Sequence, residues 1–200
     1  MLSKYTEKDI IFLLKEIDKG CQLAFAKFYG LYAKRLFGFS IAILHSKEMA
    51  EEAVEDVFVK IWHKRGRLAE IENISVYLYV AIKNQSLTKL SQKANDLITT
   101  PFDDIDTYVE AIQEDPHSLL ISAEMLRRVN EVIANLPPRC KMIFKLKRED
   151  GLSYKEISSI LNISINTIDV QMAIAVKRIC EAMGVTKPKK SPFKIFQKKN

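Results

Sequence analysis

The stretch 151–178, GLSYKEISSILNISINTIDVQMAIAVKR, constrains the fold of this chain more than any other segment. Ser153 followed by Glu156 is the capping-box pattern that opens a helix. Asn162 suits the left-handed residue of a tight turn, and Ser164 can cap a second helix. Two amphipathic helices joined by so short a turn predict a helix-turn-helix, whose second helix enters a DNA major groove. A hairpin in an ordinary helical bundle gives the same pattern, so both interpretations stay open at this point.

Helical spacing dominates the remaining sequence. Six glycines and six prolines in 200 residues leave few breaks, and the alternation typical of β-strands is scarce. The sequence therefore predicts an all-α fold. The sequence predicts a helix that starts at Thr6 with Asp9 and stops at Gly20, and a second helix over about 21–44 whose inward residues are Phe25, Phe28, Tyr29, Tyr32, Leu36 and Phe39. It then predicts a cap at Ser46, a loop over 64–73 and a helix from Ser75 to about Leu90. Further along, it predicts a break at 136–138 and, in the last helix, Ile168 and Met172 facing inward.

Composition narrows the class of protein. Hydrophobic residues make up 48% of the chain, enough for a packed core, and a net charge of +6 suits an acidic partner such as nucleic acid. The three cysteines are widely spaced, with no CxxC pair, so we expect no disulfide framework, no metal site and a reducing, cytoplasmic location. No signal sequence and no bilayer-length apolar run is present, so no membrane insertion is expected.

A shift in charge marks the domain boundaries. Residues 95–118 contain seven acids and no Lys or Arg, and they include Pro101 and Pro116, which predicts an acidic linker. We therefore expect a helical domain over 1–94, the linker over 95–118, a helix-turn-helix domain over 119–184, and a basic, disordered tail over 185–200. The six lysines of the tail can hold phosphate loosely or simply aid solubility, and the sequence does not decide between these two roles.

The sequence contains no catalytic constellation. It lacks a glycine-rich phosphate loop and an HExxH motif, and its three histidines lie far apart. Binding surfaces stand out instead. In the segment 50–65 one face is apolar, while Glu51, Glu52, Glu55 and Asp56 form an acidic face, which favours a protein partner with a basic helical surface.

Basic and aromatic residues are interleaved between positions 62 and 85. Such mixing is typical of single-stranded DNA binding, because unstacked bases lie on aromatic rings. Packing in the core is the competing interpretation for the aromatic residues, and for Trp62 we favour it. The residues of this group are Trp62, Lys64, Arg65, Arg67, Tyr77, Tyr79, Lys83, Asn84 and Gln85.

Taken together, these segments resemble the extracytoplasmic-function (ECF) subfamily of bacterial RNA polymerase sigma factors. The opening CQLAFAKFYGLYAKRLFGFS resembles the start of the σ2 domain, EEAVEDVFVKIWHKR the core-binding helix, and SVYLYVAIKNQSLTKL the −10 element helix. LPPRCKMIFKLKREDGLSYKEISSIL and INTIDVQMAIAVKRI resemble the σ4 domain and its recognition helix. Departures from the family pattern are Glu55, Ser91, Asn162, Asp169, Gln171 and the apolar run 172–176.

The resemblance implies a σ2-like four-helix domain and a σ4-like helix-turn-helix domain, and it assigns three groups of site residues. Core polymerase binding falls on Glu52, Asp56, Val57, Phe58, Ile61 and Trp62. Contact with the −10 element falls on Arg65, Arg67, Leu68, Tyr79, Lys83 and Asn84. Contact with the −35 element falls on Ser164, Ile165, Asn166, Thr167, Val170, Gln171, Lys177 and Arg178.

The same resemblance implies a mechanism and a set of partners. The first domain docks on the β′ clamp helices of core RNA polymerase and captures a base flipped from the −10 element, which nucleates promoter melting. The second domain reads the −35 element, and the linker threads through basic channels of the polymerase. The β flap of the polymerase and an anti-sigma factor are further partners. No cofactor is implied, and the polymerase performs all the catalysis.

Two other functions compete with this hypothesis. A free-standing helix-turn-helix regulator would bind duplex DNA as a dimer, but the acidic segment 51–56 argues against it. A helical adaptor without DNA contact is favoured only by the weak basicity of the second helix of the motif.

Overall fold

The computed structural model describes residues 5–97 and 120–184. Within these ranges the secondary structure consists of α-helices and one 3-10 helix with no strand, so the all-α prediction is confirmed. Contacts divide the chain into two compact units, Met1–Glu110 with Lys155–Ile163, and Ala111–Tyr154 with Ser164–Asn200. The helices are α1 (Glu7–Asp18), α2 (Gln22–Leu44), α3 (Lys47–His63), the 3-10 helix (Arg65–Glu70), α4 (Ile74–Leu97), α5 (Leu120–Ala134), α6 (Pro138–Arg148), α7 (Tyr154–Leu161) and α8 (Ile165–Ala182).

The first unit is built around three helices that pack against one another, α2, α3 and α4. Helix α1 lies against α2 and the 3-10 helix. Burying each large apolar side chain of this core stabilises the fold by about 1.5–3 kcal/mol. The fully buried side chains are Phe28, Leu36, Ile61, Leu68, Leu78 and Ile82, with Ile17 from α1.

Local capping sets several helix ends of the first unit, as the sequence predicts. The Thr6 hydroxyl accepts a hydrogen bond from the Asp9 backbone N–H at 3.3 Å, while the Asp9 carboxylate accepts one from the Thr6 N–H at 2.7 Å. Gly20 follows α1 with a φ of 86°, a left-handed conformation that glycine adopts without strain. The Ser46 hydroxyl caps α3 by accepting from the Met49 N–H at 3.3 Å.

The structure corrects several of the predicted details. The predicted loop over 64–73 contains the 3-10 helix. Helix α4 begins earlier than Ser75, because the Asn73 side-chain oxygen accepts from the Val76 N–H at 3.0 Å. It then continues past Leu90 to Leu97, into the predicted linker, because residues 91–97 contain no Gly or Pro to stop it. The remainder of the linker and the basic tail lie outside the described residues.

In the second unit, α5 and α6 both pack against α8. The predicted break at 136–138 is confirmed, because Pro137 precedes α6 and Pro138 is its first residue, a position where the missing N–H costs nothing. Ile168 and Met172 face inward as predicted. The buried side chains of this unit include Leu136, Cys140, Ile143, Leu146, Leu152, Ile168, Met172 and Ala175.

In the described ranges, no single helix is long and apolar enough to cross a membrane.

Candidate functional site

Helix α3 separates its apolar and acidic side chains onto opposite faces. The apolar face is turned into the core, where Ala50 and Ala53 are fully buried and Val54 nearly so. We call Glu51, Glu52, Glu55 and Asp56 the acidic face; the three glutamates are exposed and Asp56 is half-buried. Four carboxylates within two turns create a strongly negative surface on a chain whose net charge is +6.

Two side chains of α4 hold part of this acidic face. The Lys89 ammonium lies 3.0 Å from the Glu52 carboxylate and 3.0 Å from that of Asp56, with only 13% of the lysine side chain exposed. The Gln85 side-chain N–H donates to the same Asp56 oxygen at 2.8 Å. Burial lowers the pKa of Lys89, but the hydrogen bonds that Lys89 donates to Glu52 and Asp56, together with their negative charge, more than offset this and raise it overall. Asp56 is therefore fixed in place by α4.

An apolar groove borders the acidic face. The Phe25 ring packs against the Trp62 ring, with 4.9 Å between centroids, and Tyr29 packs against Phe58 at 4.7 Å. Val59 and Tyr29 leave 55% and 41% of their area exposed, so the prediction that Tyr29 faces inward is wrong. The groove is lined by Gln22, Phe25, Tyr29, Glu55, Phe58, Val59, Trp62 and His63. An acidic face beside an apolar groove suits a basic, amphipathic helical partner.

Three residues predicted to bind polymerase are buried, although one of them, Phe58, also lines the groove. Val57, Phe58 and Ile61 expose only 2–3% of their area. They hold α3 in place, whereas Glu52, Asp56 and Trp62 retain exposed area. Sequence reasoning recognised the acidity of Glu51 and Glu55 but left them out of the binding set, and it missed Val59. The signal for Val59 was its position beside the buried stripe of α3.

The residues of the 3-10 helix and α4 that were predicted to contact the −10 element differ in how exposed they are. Arg67 is exposed. The guanidinium of Arg65 lies 4.8 Å from the Trp62 ring centroid and donates to the Trp62 carbonyl at 2.9 Å, so it packs on α3. Leu68 and Tyr79 expose only 2% each, and the Tyr79 ring meets Phe39 edge-on at 5.1 Å. Side chains this buried offer no face to a base in this structure, and the contact of Leu68 and Tyr79 with the −10 element stays a prediction.

Tyr77 supplies the exposed aromatic ring that was expected of Tyr79. Residues two apart on an α-helix point about 200° apart, so burial of Tyr79 turns Tyr77 outward, with 38% of its area exposed. Asn84 follows seven residues after Tyr77 and lies on the same side of α4. Asn84 is exposed, and Lys83 is half-buried. Tyr77 and Asn84 together form a polar-aromatic surface on α4.

The turn before α8 matches the sequence prediction closely. Asn162 has a φ of 55°, which is the left-handed conformation expected there. The Ser164 hydroxyl accepts from the Thr167 N–H at 3.1 Å and so caps α8. The Ser158 hydroxyl donates to the Ile163 carbonyl at 2.6 Å, which ties the turn to the end of α7. Local hydrogen bonds therefore fix the start of α8.

The first turns of α8 present a nearly uncharged surface. We call Ile165, Asn166, Val170 and Ala173 the outward face of α8, since all four are exposed. Val170 leaves 58% of its area exposed and Ile165 leaves 43%. Thr167, Asp169 and Gln171 are half-buried. The Gln171 backbone carbonyl accepts from the Cys140 thiol at 3.1 Å, inside the second unit.

The basic residues further along α8 make contacts within the protein. The Arg178 guanidinium donates to the Asn135 carbonyl at 3.2 Å, just after the end of α5, where carbonyls lack helical partners. Lys177 pairs with Glu181 at 3.7 Å on the surface. Among the described residues, no group of three His, Cys, Asp or Glu side chains is arranged to hold a metal ion.

Comparison with known proteins connects these surfaces to one family. Residues 28–95 match the family model for sigma-70 region 2, and residues 126–179 match that for sigma-70 region 4. The ECF RNA polymerase sigma factor SigW of Bacillus subtilis is 22% identical over 165 residues, which cover 80% of this chain and 88% of that protein. The ECF sigma factor SigK of Mycobacterium tuberculosis H37Rv is 23% identical over 186 residues, covering 89% and 95%.

A solved structure shows the same fold. It is the sigma factor RpoE of Bartonella quintana, in a co-crystal with the anti-sigma factor NepR. The match has a TM-score of 0.58 at 20% identity and covers 82% of this chain and 98% of that one. The chain therefore belongs to the sigma-70 class of RNA polymerase sigma factors and, within it, to the ECF subfamily. Proteins of this class are initiation factors that act with core RNA polymerase and promoter DNA, and they are not enzymes.

Proposed function

We propose that the acidic face and the apolar groove of α3 bind the β′ clamp helices of core RNA polymerase. The observation behind this assignment is the meeting of four carboxylates with exposed apolar side chains on a single helix. Glu51 and Glu55 supply the exposed charge, and Val59 and Trp62 supply the apolar contact. The Lys89 ammonium partly neutralises Glu52 and Asp56. These two carboxylates therefore attract a basic partner less strongly than Glu51 and Glu55 do.

Contact with the −10 element falls on the 3-10 helix and on α4. Arg67 attracts the phosphates, the Tyr77 ring stacks on an unpaired base, and Asn84 hydrogen-bonds that base. Lys83 and Arg65 add positive charge behind them. Capturing a flipped base offsets an unpairing cost of a few kcal/mol and so nucleates melting.

The helix-turn-helix reads the −35 element through the start of α8. Ser164, Ile165, Asn166, Thr167, Val170 and Gln171 supply base or phosphate contacts, and Lys177 supplies charge. The second domain, 119–184, also contacts the β flap, while the acidic linker 95–118 passes through basic channels of the polymerase. The protein acts in the cytoplasm, where the polymerase is. An anti-sigma factor is a further partner, by analogy with the Bartonella complex.

Run-off transcription tests the proposal as a whole. Purified full-length protein is added to core polymerase with a library of promoter fragments, and the expected result is initiation at a defined subset of fragments. Core polymerase alone is the control. A protein that neither co-migrates with core polymerase nor directs initiation would contradict the proposal.

The −10 assignment has its own measurement. Asn84→Ala is expected to leave core affinity unchanged and to slow open-complex formation about tenfold, since a base contact is lost only once the strands separate. Thr88→Ala, an exposed change one turn further along α4, is the matched control. If Asn84→Ala weakened core binding and opening equally, its role would be packing.

A further inference from the structure

We infer that the outward face of α8 selects A·T base pairs in the upstream promoter element, chiefly through the methyl groups of thymine. This inference rests on the proposed −35 function and specifies the chemistry of its target. It follows from the exposed side chains at the start of α8.

The first point is what α8 lacks. Guanine is read in the major groove by Arg or Lys, which donate to its O6 and N7 atoms. Between Ile165 and Val176 the helix has no Lys or Arg, and its single charge is Asp169. Lys177 follows two turns after Val170 and pairs with Glu181, while Arg178 is held by the Asn135 carbonyl. The start of α8 therefore lacks the Arg or Lys side chain that most often reads guanine.

The second point is what α8 presents. Val170 and Ile165 are more than 40% exposed, and Ala173 is exposed beside them. Apolar side chains in the major groove contact the thymine methyl group, and Asn pairs with the N6 and N7 atoms of adenine. Asn166 is exposed one residue after Ile165. Three methyl-bearing side chains and one amide thus match both bases of an A·T pair.

The third point is that this geometry is fixed before DNA binds. Ser164 caps α8, and Ile168, Met172 and Ala175 anchor its opposite side in the core. With that side buried, the outward face cannot rotate toward a different set of residues. Asp169 is half-buried and repels phosphate, so the helix gains little non-specific affinity and relies on base contacts.

The test uses holoenzyme, reconstituted from the full-length chain and core polymerase, and duplex fragments with a randomised upstream window. We expect A·T pairs to be enriched in that window. Replacing a contacted thymine by uracil, which removes only the methyl group, is expected to reduce binding about fourfold. Val170→Ala, which leaves only one methyl group, should reduce the difference between thymine and uracil at one position, whereas Met125→Ala, an exposed apolar change in α5, should keep it.

A gain-of-function variant strengthens the test. Val170→Arg places a guanine-reading side chain on the outward face, so guanine should become enriched at the position that Val170 faces. Since Val170 is exposed, neither variant disturbs the core. Enrichment of G·C pairs by the wild-type holoenzyme, or uracil fragments that bind as tightly as thymine fragments, would overturn the inference while leaving the −35 role intact. Absence of any upstream preference, with Asn166→Ala and Val170→Ala inert, would overturn both.

Discussion

The acidic face of α3 and the outward face of α8 are built in opposite ways. The former gathers four carboxylates and is held by a half-buried lysine and a glutamine from another helix. The latter has exposed Ile, Val, Ala and Asn side chains and is fixed by one cap and a buried side. Charge steers partners and adds affinity, whereas methyl and amide groups discriminate between them. Within the proposed function, we therefore expect α3 to supply affinity for polymerase and α8 to discriminate between base pairs of duplex DNA.

The largest effect is expected where a proposed contact residue is really part of the core. Phe58→Ala should lower the free energy of unfolding by about 3–5 kcal/mol, because Phe58 is 3% exposed and its removal leaves a cavity. Val59→Ala, the next residue but 55% exposed, should change stability by less than about 0.5 kcal/mol while weakening core binding. Urea unfolding and a core-binding titration separate the two. Equal stabilities for the two variants would place Phe58 on the surface.

The second prediction concerns the charge of the acidic face. Glu51→Lys combined with Glu55→Lys should weaken core polymerase binding by about 10- to 100-fold at low salt, because two exposed attractions become repulsions. The loss should shrink as salt screens the charges. Glu70→Lys with Glu72→Lys makes the same change at exposed acids away from α3 and serves as the control. If both double variants lost affinity alike, net charge alone would explain docking.

The third prediction concerns the lysine that holds the acidic face. Lys89→Met should lower the free energy of unfolding by about 1 kcal/mol, since Glu52 and Asp56 are partly exposed and solvent weakens the pairing. Because the pKa of Lys89 is raised in the folded state, its contribution is fully present at neutral pH and is lost only as the pH rises through that raised pKa. Lys93→Met, an exposed change one turn later, is the control. Identical urea midpoints would show that the network adds no stability.

Local signals in the sequence predicted the parts of the fold that depend on neighbouring residues. The caps at Thr6, Ser46 and Ser164 and the left-handed Asn162 were foreseen, because a cap bonds within three residues of itself. Helix α8 itself begins at Ile165, directly after the predicted cap at Ser164. These features depend only on residues that are close in the sequence.

For other residues, tertiary packing determines which side chains are exposed, and the sequence alone did not predict this correctly. Tyr77 and Tyr79 have similar chemistry, and only the docking of α4 on Phe39 decides which ring is buried. Leu68 looked like a loop residue, yet it is 2% exposed in the unit that holds α1 and the 3-10 helix. Asp56 was assigned to polymerase without knowledge of Lys89, which lies 33 positions away. A motif identifies the helix, but the contacts across helices decide what each of its residues does.

The smallest expected effects come from substituting Arg178 and Lys177. The two residues contrast a contact within the protein with a contact to DNA. Arg178→Ala should lower the free energy of unfolding by no more than about 0.5 kcal/mol, because water can replace its exposed hydrogen bond to the Asn135 carbonyl, and it should not alter the salt dependence of promoter binding. Lys177→Ala should leave stability unchanged and reduce the slope of log affinity against log salt by about 1, because an exposed lysine contacts phosphate without reading bases. Thermal unfolding and filter binding at several salt concentrations measure both. If the slope of log affinity against log salt fell for Arg178→Ala instead, Arg178 would be a phosphate contact. The end of α8 would then supply phosphate affinity that its first turns, which have no Lys or Arg, lack.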